Sequence, residues 1–410
     1  MKTVDYLIIG AGIIGINVAL TLKRRYPDAS VCVVDKEARL GLHGSGRNSG
    51  VIHAGFYYTA DSLKARFTRE GNRSLKEFIR RRQLPLNECG KLVVAQNEAE
   101  LKTLDELLER GIRNGVKLFK ISADDAREIE PRAKTSQYAL WSPDTATADP
   151  LRVLQAFHDE VVKRGVELCL GQRFVGCDKN RISLSHDSIE AGYVINTAGL
   201  YADKVAHAFG FGRDYMIFPF KGLYLKSHEP IGSFRTNIYP VPDLRNPFLG
   251  VHVTVTVDGH SKIGPTAIPA FWREQYKGGT NFEWDELFEI LHRGSQLMLH
   301  ADFDFRRLAY EELRKYQQSH LVRLTQELAA GLKPESFKEW GAAGIRAQLL
   351  NVKKRSLVMD FYFEGDDRSF HVLNSVSPGW TCAIPFSEYL VDRIDHLRRT
   401  GSLDTWDDAA

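Results

Sequence analysis

The chain begins with an apolar run, Tyr6-Leu7-Ile8-Ile9, followed at once by glycines. Such a run suits a strand buried on both faces of a parallel sheet. From Ile13 to Arg25 the apolar positions take helical spacing, with Ile14, Val18 and Leu22 on one face. Pro27-Asp28 ends that pattern, and Val31-Cys32-Val33-Val34 reads as a second buried strand. Together these make a βαβ unit. Further along, Ser62 is placed to cap a helix running to Arg82. Lys91 to Ala95 reads as a strand, Glu98 to Asn114 and Pro150 to Arg164 as helices, and Tyr193 to Asn196 as another buried strand. Residues 215–265 are rich in aromatic and β-branched residues punctuated by Gly and Pro, which predicts antiparallel strands. Residues 283–332 read as helical, Leu357 to Phe363 and His371 to Leu373 as strands, and Phe386 to Leu397 as a last helix.

Composition narrows the classes. A length of 410 residues suits two domains, and 43% hydrophobic with 26% charged residues is a globular balance. The 55 basic residues nearly match the 52 acidic ones, so no concentrated basic face for nucleic acid is expected. The five cysteines have no C-x-x-C spacing, so neither a disulfide framework nor a metal site is expected, and a reducing compartment is. No signal-peptide pattern and no apolar run of ~18 residues is present, which points to the cytoplasm.

Gly10-Ala11-Gly12-Ile13-Ile14-Gly15 matches G-x-G-x-x-G between a strand and a helix. The first glycine permits a tight turn, the second lets backbone approach a pyrophosphate, and the third lets helix and strand pack closely. The helix N-terminus then offers N–H groups to phosphates. Asp35 closes the second strand, twenty positions after Gly15, where a carboxylate can bind ribose hydroxyls. Gly10, Gly12, Ile13, Ile14, Gly15, Asp35 and Lys36 are therefore candidate dinucleotide contacts. The motif does not separate FAD from NAD.

The stretch Leu42 to Ala65, with Gly44-Ser45-Gly46-Arg47-Asn48-Ser49-Gly50-Val51-Ile52-His53 at its centre, resembles the flavin-contacting segment of the L-2-hydroxyglutarate oxidase/dehydrogenase family, part of the D-amino-acid oxidase superfamily of FAD enzymes. Blocks at 90–95, 195–200, 240–243, 248–252, 343–348 and 377–379 are similar to that family in the same order, so the resemblance covers nearly the whole chain. It implies non-covalent FAD, since no cysteine follows the Arg346 segment where amine-oxidising relatives tether the flavin. It places Ser45, Arg47, Asn48, Ser49 and Gly50 along pyrophosphate and flavin, and Phe174 at the adenine. Thr197, Ala198 and Gly199 flank the cofactor, and Ser377, Pro378, Gly379 and Trp380 lie near the flavin's pyrimidine edge.

A 2-hydroxy acid needs a cation for its carboxylate, a base for its hydroxyl proton and a hydride acceptor. Arg346 in a Gly-Ile-Arg segment is the candidate clamp and His53 the candidate base. His252, between Val251 and Val253, is a second candidate histidine, and Tyr57, Tyr58 and Lys221 are candidates for shaping the pocket or binding a second carboxylate. The stretch after His53 lacks the arginine that the resemblance leads one to expect in glycerol-3-phosphate-oxidising relatives. Trp380 and Pro385 depart from the family pattern, and Cys382 reads as an inert buried thiol.

The expected fold is α/β: a Rossmann-like FAD domain from 1–85, 146–214 and 340–410, interleaved with an antiparallel-sheet substrate domain from 86–145 and 215–339. The expected activity is oxidation of a 2-hydroxy dicarboxylate, L-2-hydroxyglutarate to 2-oxoglutarate, with oxygen or a quinone as acceptor. Amine oxidation and a non-catalytic flavin-binding role are the alternatives. The helical insertion 283–332 offers two readings: an ordinary lid, or peripheral contact with the inner membrane.

Overall fold

The computed structural model describes residues 2–243, 248–301 and 305–403. It forms two compact units from alternating stretches of chain. Unit 1 is Met1–Arg47, Leu151–Pro219 and Arg346–Ala410; unit 2 is Asn48–Pro150 and Phe220–Ile345. Residues 48–85, expected with the dinucleotide-binding segments, pack into unit 2 instead. The elements that position the sites are β1 (Lys2–Ile9), α1 (Ile13–Arg25), β2 (Val31–Asp35), β3 (Val51–Ile52), α2 (Leu63–Arg81), β4 (Lys91–Val94), β5 (Glu167–Leu170), β6 (Ser188–Asn196), β7 (Asn237–Pro240), β8 (His252–Val255), β9 (Ser261–Gly264), α3 (Trp284–His300), β10 (Ser369–Asn374) and α4 (Ala383–Thr400).

Unit 1 is built on a sheet in which β10, β6, β1, β2 and β5 lie side by side and parallel. Every residue from Tyr6 to Ile9 is buried, as a strand covered on both faces requires. Two antiparallel strands, Phe174–Asp178 and Arg181–Leu184, extend the sheet beside the first half of β6, while β10 pairs with its second half. Helix α1 packs against α4: Ser387 Oγ donates to the Ile14 carbonyl at 3.3 Å. At the exposed end Arg24 meets Glu388 at 2.8 Å, and Arg25 meets Asp392 at 2.5 Å and Asp395 at 2.6 Å. Such surface pairs contribute little beside the apolar seam they border.

Unit 2 holds an eight-stranded sheet in the order Glu339–Trp340, Leu225–Lys226, β9, β8, β7, β4, Tyr138–Ser142, Phe119–Ser122. Its pairs are antiparallel as expected, except that β7 and β4 run parallel. Alternation along the strands sorts two faces. Leu92, Val94, Ile238, Val253, Val255 and Ile263 join one core with Leu321, Val322 and Leu328 of the helical segment. Val93, Ala95 and Tyr239 face the other way, onto Ala54, Phe56 and Tyr57.

One strand expectation changes. Leu357 to Phe363 is not one strand: Ser356–Leu357 and Tyr362–Gly365 pair with different partners. Asn374 Nδ2 donates to the carbonyls of Val358 and Asp360 at 3.1 and 2.6 Å, holding the intervening chain as a loop. Pro385 lies in the first turn of α4, where its missing N–H has no intrahelical acceptor to lose. The region 283–332 is helical in three pieces, α3, Phe305–Arg314 and Gln318–Leu328; positions 302–304 fall outside the described residues. Among the described residues, no helix is long and apolar enough to cross a membrane.

Candidate functional site

In unit 1 the glycine turn is built as its sequence requires. Gly10 has φ +110°, and a Cβ there would stand 2.5 Å from the Thr197 carbonyl oxygen. Gly12 is the N-cap of α1 in extended conformation. A Cβ on Gly15 would lie 2.0 Å from the Gly10 carbonyl oxygen, so only glycine allows this approach of helix to turn. Two side chains brace the loop. Ser45 Oγ accepts from the Ile13 amide at 2.9 Å, and Asp35 accepts from the amides of Ala11 at 2.7 Å and Glu37 at 2.9 Å. No acidic residue occupies the first turn of α1, which leaves the positive end of its dipole uncompensated by side chains of that turn.

The other cofactor candidates of unit 1 gather on the ends of neighbouring strands. Thr197, after β6, donates through Oγ1 to the carbonyls of Ile9 and Gly10 at 3.2 and 3.1 Å, tying β6 to the glycine turn. Gly199 has φ +55° with open space where a Cβ would be. Lys36 pairs with Glu37, and its ammonium lies 5.4 Å from the Tyr201 ring centroid. Arg47 Nε donates to the Leu42 carbonyl at 2.6 Å. Phe174 stacks on Phe209 at 5.9 Å. Ser377 and Pro378 are joined by a cis bond; a Cβ on Gly379 would come within 2.0 Å of the Ser375 carbonyl oxygen. Trp380 is buried, and among the described residues its indole N–H has no acceptor. A helix N-terminus with no acid in its first turn, an open glycine and a buried indole donor fit a bound dinucleotide.

In unit 2, His53 follows β3 and is half-buried. Asn72 of α2 fixes its backbone, donating to the His53 carbonyl at 3.1 Å and to that of Asp144 at 3.0 Å. Asn48, Ser49 and Gly50 form the turn just before it: Asn48 Oδ1 accepts from Gly50 N at 2.9 Å, and Ser49 Oγ from Val51 N at 3.2 Å. Gly50 has φ +77°. His252, on β8, is buried; its Nδ1 lies 3.0 Å from the Gly250 carbonyl oxygen. Its ring stacks on Tyr239, centroids 3.6 Å apart and planes 15° apart. Strand β7 lies between β8 and β4, so Tyr239 separates His252 from Lys91.

Lys91 is the unexpected residue of this face. It is fully buried, its Nζ has no hydrogen-bond partner among the described residues, and it sits 4.1, 5.1 and 5.5 Å from the ring centroids of Tyr239, Tyr57 and Phe56. Burial pushes its ammonium down to about 7. The same burial raises the Tyr57 hydroxyl, also without a partner among the described residues, well above its usual range. Lys262 on β9 donates to the Ser49 carbonyl at 3.1 Å. Its side chain keeps some surface area, yet its ammonium is crowded closely enough that burial pushes it down to about 8.

The structure therefore sets His252 and the segment after His53 against one sheet face. Tyr58 is half-buried, its carbonyl accepting from Asn114 at 3.0 Å. Lys221 is buried on the strand Tyr215–Gly222 beside Ile268, with its ammonium lowered by burial. Arg346 is half-buried on Gly344–Asn351 and counts with unit 1, whereas both histidines count with unit 2. Sequence reasoning missed Lys91, Tyr239 and Lys262. The signal for Lys91 was present: a lysine heading the apolar run Leu92-Val93-Val94-Ala95 has to be buried with it.

The model of the FAD dependent oxidoreductase family matches residues 5–393. The chain is 34% identical to the L-2-hydroxyglutarate dehydrogenase of Escherichia coli K12, over 96% of this chain and 93% of that one. It is 33% identical to the mitochondrial L-2-hydroxyglutarate dehydrogenase of Homo sapiens, over 95% and 88%. Among solved structures it is similar to FAD-bound L-alpha-glycerophosphate oxidase from Mycoplasma pneumoniae, with TM-score 0.76, 21% identity and 96% and 95% of the two chains covered. It is also similar to glycine oxidase from Geobacillus kaustophilus, with TM-score 0.70, 17% identity and 100% and 98% covered. These two likenesses speak to the fold.

Proposed function

We propose that this chain, which belongs to the family of FAD-dependent oxidoreductases, oxidises L-2-hydroxyglutarate to 2-oxoglutarate. The observation that carries the reading is the one-third identity to L-2-hydroxyglutarate dehydrogenases along nearly the full length of both chains. The cofactor is FAD, held without a covalent bond by the Gly10–Gly15 turn, Asp35, Ser45 and the Thr197–Gly199 and Ser377–Trp380 segments. When bound, it supplies the hydride acceptor.

The remaining work falls to side chains of this protein. Arg346 holds a substrate carboxylate through its planar fork. His53 takes the hydroxyl proton, and its backbone is already anchored by Asn72. His252, oriented by Tyr239 and the Gly250 carbonyl, donates or accepts at the substrate's polar end. Anchoring the two histidines before substrate arrives removes part of the entropic cost of bringing the reactants together.

Anaerobic bleaching of the flavin band near ~450 nm tests the reading. Loss of the band with L-2-hydroxyglutarate, and not with its D-isomer, glycine or glycerol-3-phosphate, is the expected result. Bleaching by an amine alone would move the chain to the amine-oxidising branch. Unbleached flavin with every hydroxy acid and amine would leave a binding role only.

The protein works in the cytoplasm on this reading, with oxygen or a quinone as the electron acceptor. One feature favours peripheral membrane contact. Trp284, Phe288, Leu291 and Met298 are exposed along one side of α3, and Trp284 stacks on Phe288 at 5.9 Å. Co-flotation with liposomes at low salt tests this; protein remaining wholly in the soluble fraction would overturn it.

A further inference from the structure

Strand pairing in unit 1 assembles four side chains that are scattered in sequence. β2 and β5 run parallel, with Cys32 beside Glu167 and Val34 beside Cys169. Residues two apart share a side of a strand, so Cys32, Glu167 and Cys169 project from one face. The two Sγ atoms are 3.7 Å apart, and Cys169 Sγ is 3.4 Å from a Glu167 carboxylate oxygen. One ligand atom from each lies within 4.8 Å of the others. Lys2 of β1 completes the group: its ammonium is ion-paired with Glu167 and lies 3.7 Å from Cys32 Sγ.

These separations are those of ligands around one tetrahedral ion. Two sulfurs bound to zinc at ~2.3 Å stand about 3.8 Å apart, and a sulfur and a carboxylate oxygen about 3.5 Å apart. A disulfide fits worse. Cysteines two residues out of register on adjacent parallel strands have Cα atoms roughly 8 Å apart, outside the ~4.4–6.8 Å a disulfide spans.

We propose that Cys32, Cys169 and Glu167 form a binding site for one zinc-class divalent ion, and that Lys2 is the cation that occupies the cluster when no metal is bound. Two sulfurs and one carboxylate select zinc or cadmium over magnesium or calcium. Cys32 is fully buried while Cys169 is half-buried, so the ion enters from the Cys169–Glu167 side. The thiols bind a metal as thiolates, so binding expels protons and tightens as pH rises. The site shares its two strands with the nucleotide turn: Leu170 of β5 pairs with Asp35, and Gln172 N donates to the Asp35 carbonyl at 2.7 Å.

The test uses the full-length holoprotein, washed with chelator and then equilibrated with Zn²⁺, or with Co²⁺ as a spectroscopic probe. One ion per chain is expected, with a sulfur-to-cobalt charge-transfer band and the visible bands of a tetrahedral centre. Cys32→Ser and Cys169→Ser each weaken binding about 100-fold, and Glu167→Gln about 10-fold. Lys2→Met keeps all three ligands and removes the competing ammonium, so it tightens binding. No uptake at about 10 µM free Zn²⁺, unchanged affinity in Cys32→Ser, or weaker binding in Lys2→Met would each overturn the site. None of these readouts involves substrate.

Discussion

Tyr239 lies flat against His252, with ring centroids 3.6 Å apart and planes only 15° from parallel. The contact fixes the imidazole plane, and the Gly250 carbonyl, 3.0 Å from Nδ1, fixes its rotation. Tyr239→Leu should lower kcat/KM at least tenfold and cost roughly 2–4 kcal/mol of stability, because a fully buried ring is lost. Tyr239→Phe keeps the stack and should stay within about twofold of the parent in kcat/KM. A leucine variant with parental kcat/KM would show that the ring does not orient a working histidine.

Lys91 should be a liability to stability. Its ammonium is held down at about 7 by burial, while an unfolded lysine titrates near ~10.4. Between these values the unfolded chain binds the extra proton, so this residue makes stability climb as pH rises from about 7 to about 10. The rings of Phe56, Tyr57 and Tyr239 offset part of that cost. Lys91→Met should raise Tm at pH 7, by roughly 1–3 kcal/mol in stability terms, and flatten the slope above it. Calorimetry at several pH values measures both.

His371 gives a pH dependence of the same sign in a lower window. It is buried beside Phe209 and Phe211, bonded to Asn196 at 3.2 Å, and burial pushes it down to about 4. The unfolded histidine titrates near ~6.5, so as pH falls from there to about 4 the unfolded state gains a proton that the folded state refuses. Stability present above pH 6.5 is lost across that window, by up to about 3 kcal/mol. Urea midpoints should fall accordingly in the parent and much less in His371→Gln.

Flavin retention should separate two kinds of change at the glycine turn. Gly15→Ala places a methyl 2.0 Å from the Gly10 carbonyl oxygen, so the turn must open and the isolated protein should lose at least nine-tenths of its flavin, within the order of magnitude that a steric clash in a packed turn implies. Ser45→Ala removes the bond to the Ile13 amide without a clash and should weaken FAD about fivefold, from a cap worth ~1 kcal/mol. Fluorescence of released flavin distinguishes them.

The first βαβ unit was legible because each part declares itself locally: an all-apolar run, a glycine turn, a helical stripe and a closing acid. What depends on pairing between distant strands was not. Cys32 and Cys169 lack any metal-binding spacing, yet β2 and β5 bring their sulfurs to 3.7 Å. Lys91 and Tyr239 became neighbours only because β7 inserts beside β4 in parallel, against the antiparallel trend of the sheet. The split at 358–361 depended on the Asn374 side chain, which has no local signature. His53, His252 and Arg346 were singled out by residue type and resemblance; the anchors that hold them, Asn72 and Gly250 among them, came from the structure.

The seam between α1 and α4 also sets an order of events during synthesis. The glycine turn and α1 leave the ribosome early, but the helix they rest against is made more than 350 residues later. Until then the α4-facing apolar side of α1 has no permanent cover, and β10 is not yet there to complete the sheet beside β6. Unit 2, whose last segment ends at Ile345, can finish first. The nascent chain therefore carries its nucleotide-binding turn half-built until α4 emerges, an interval in which its uncovered apolar surface is open to misassociation.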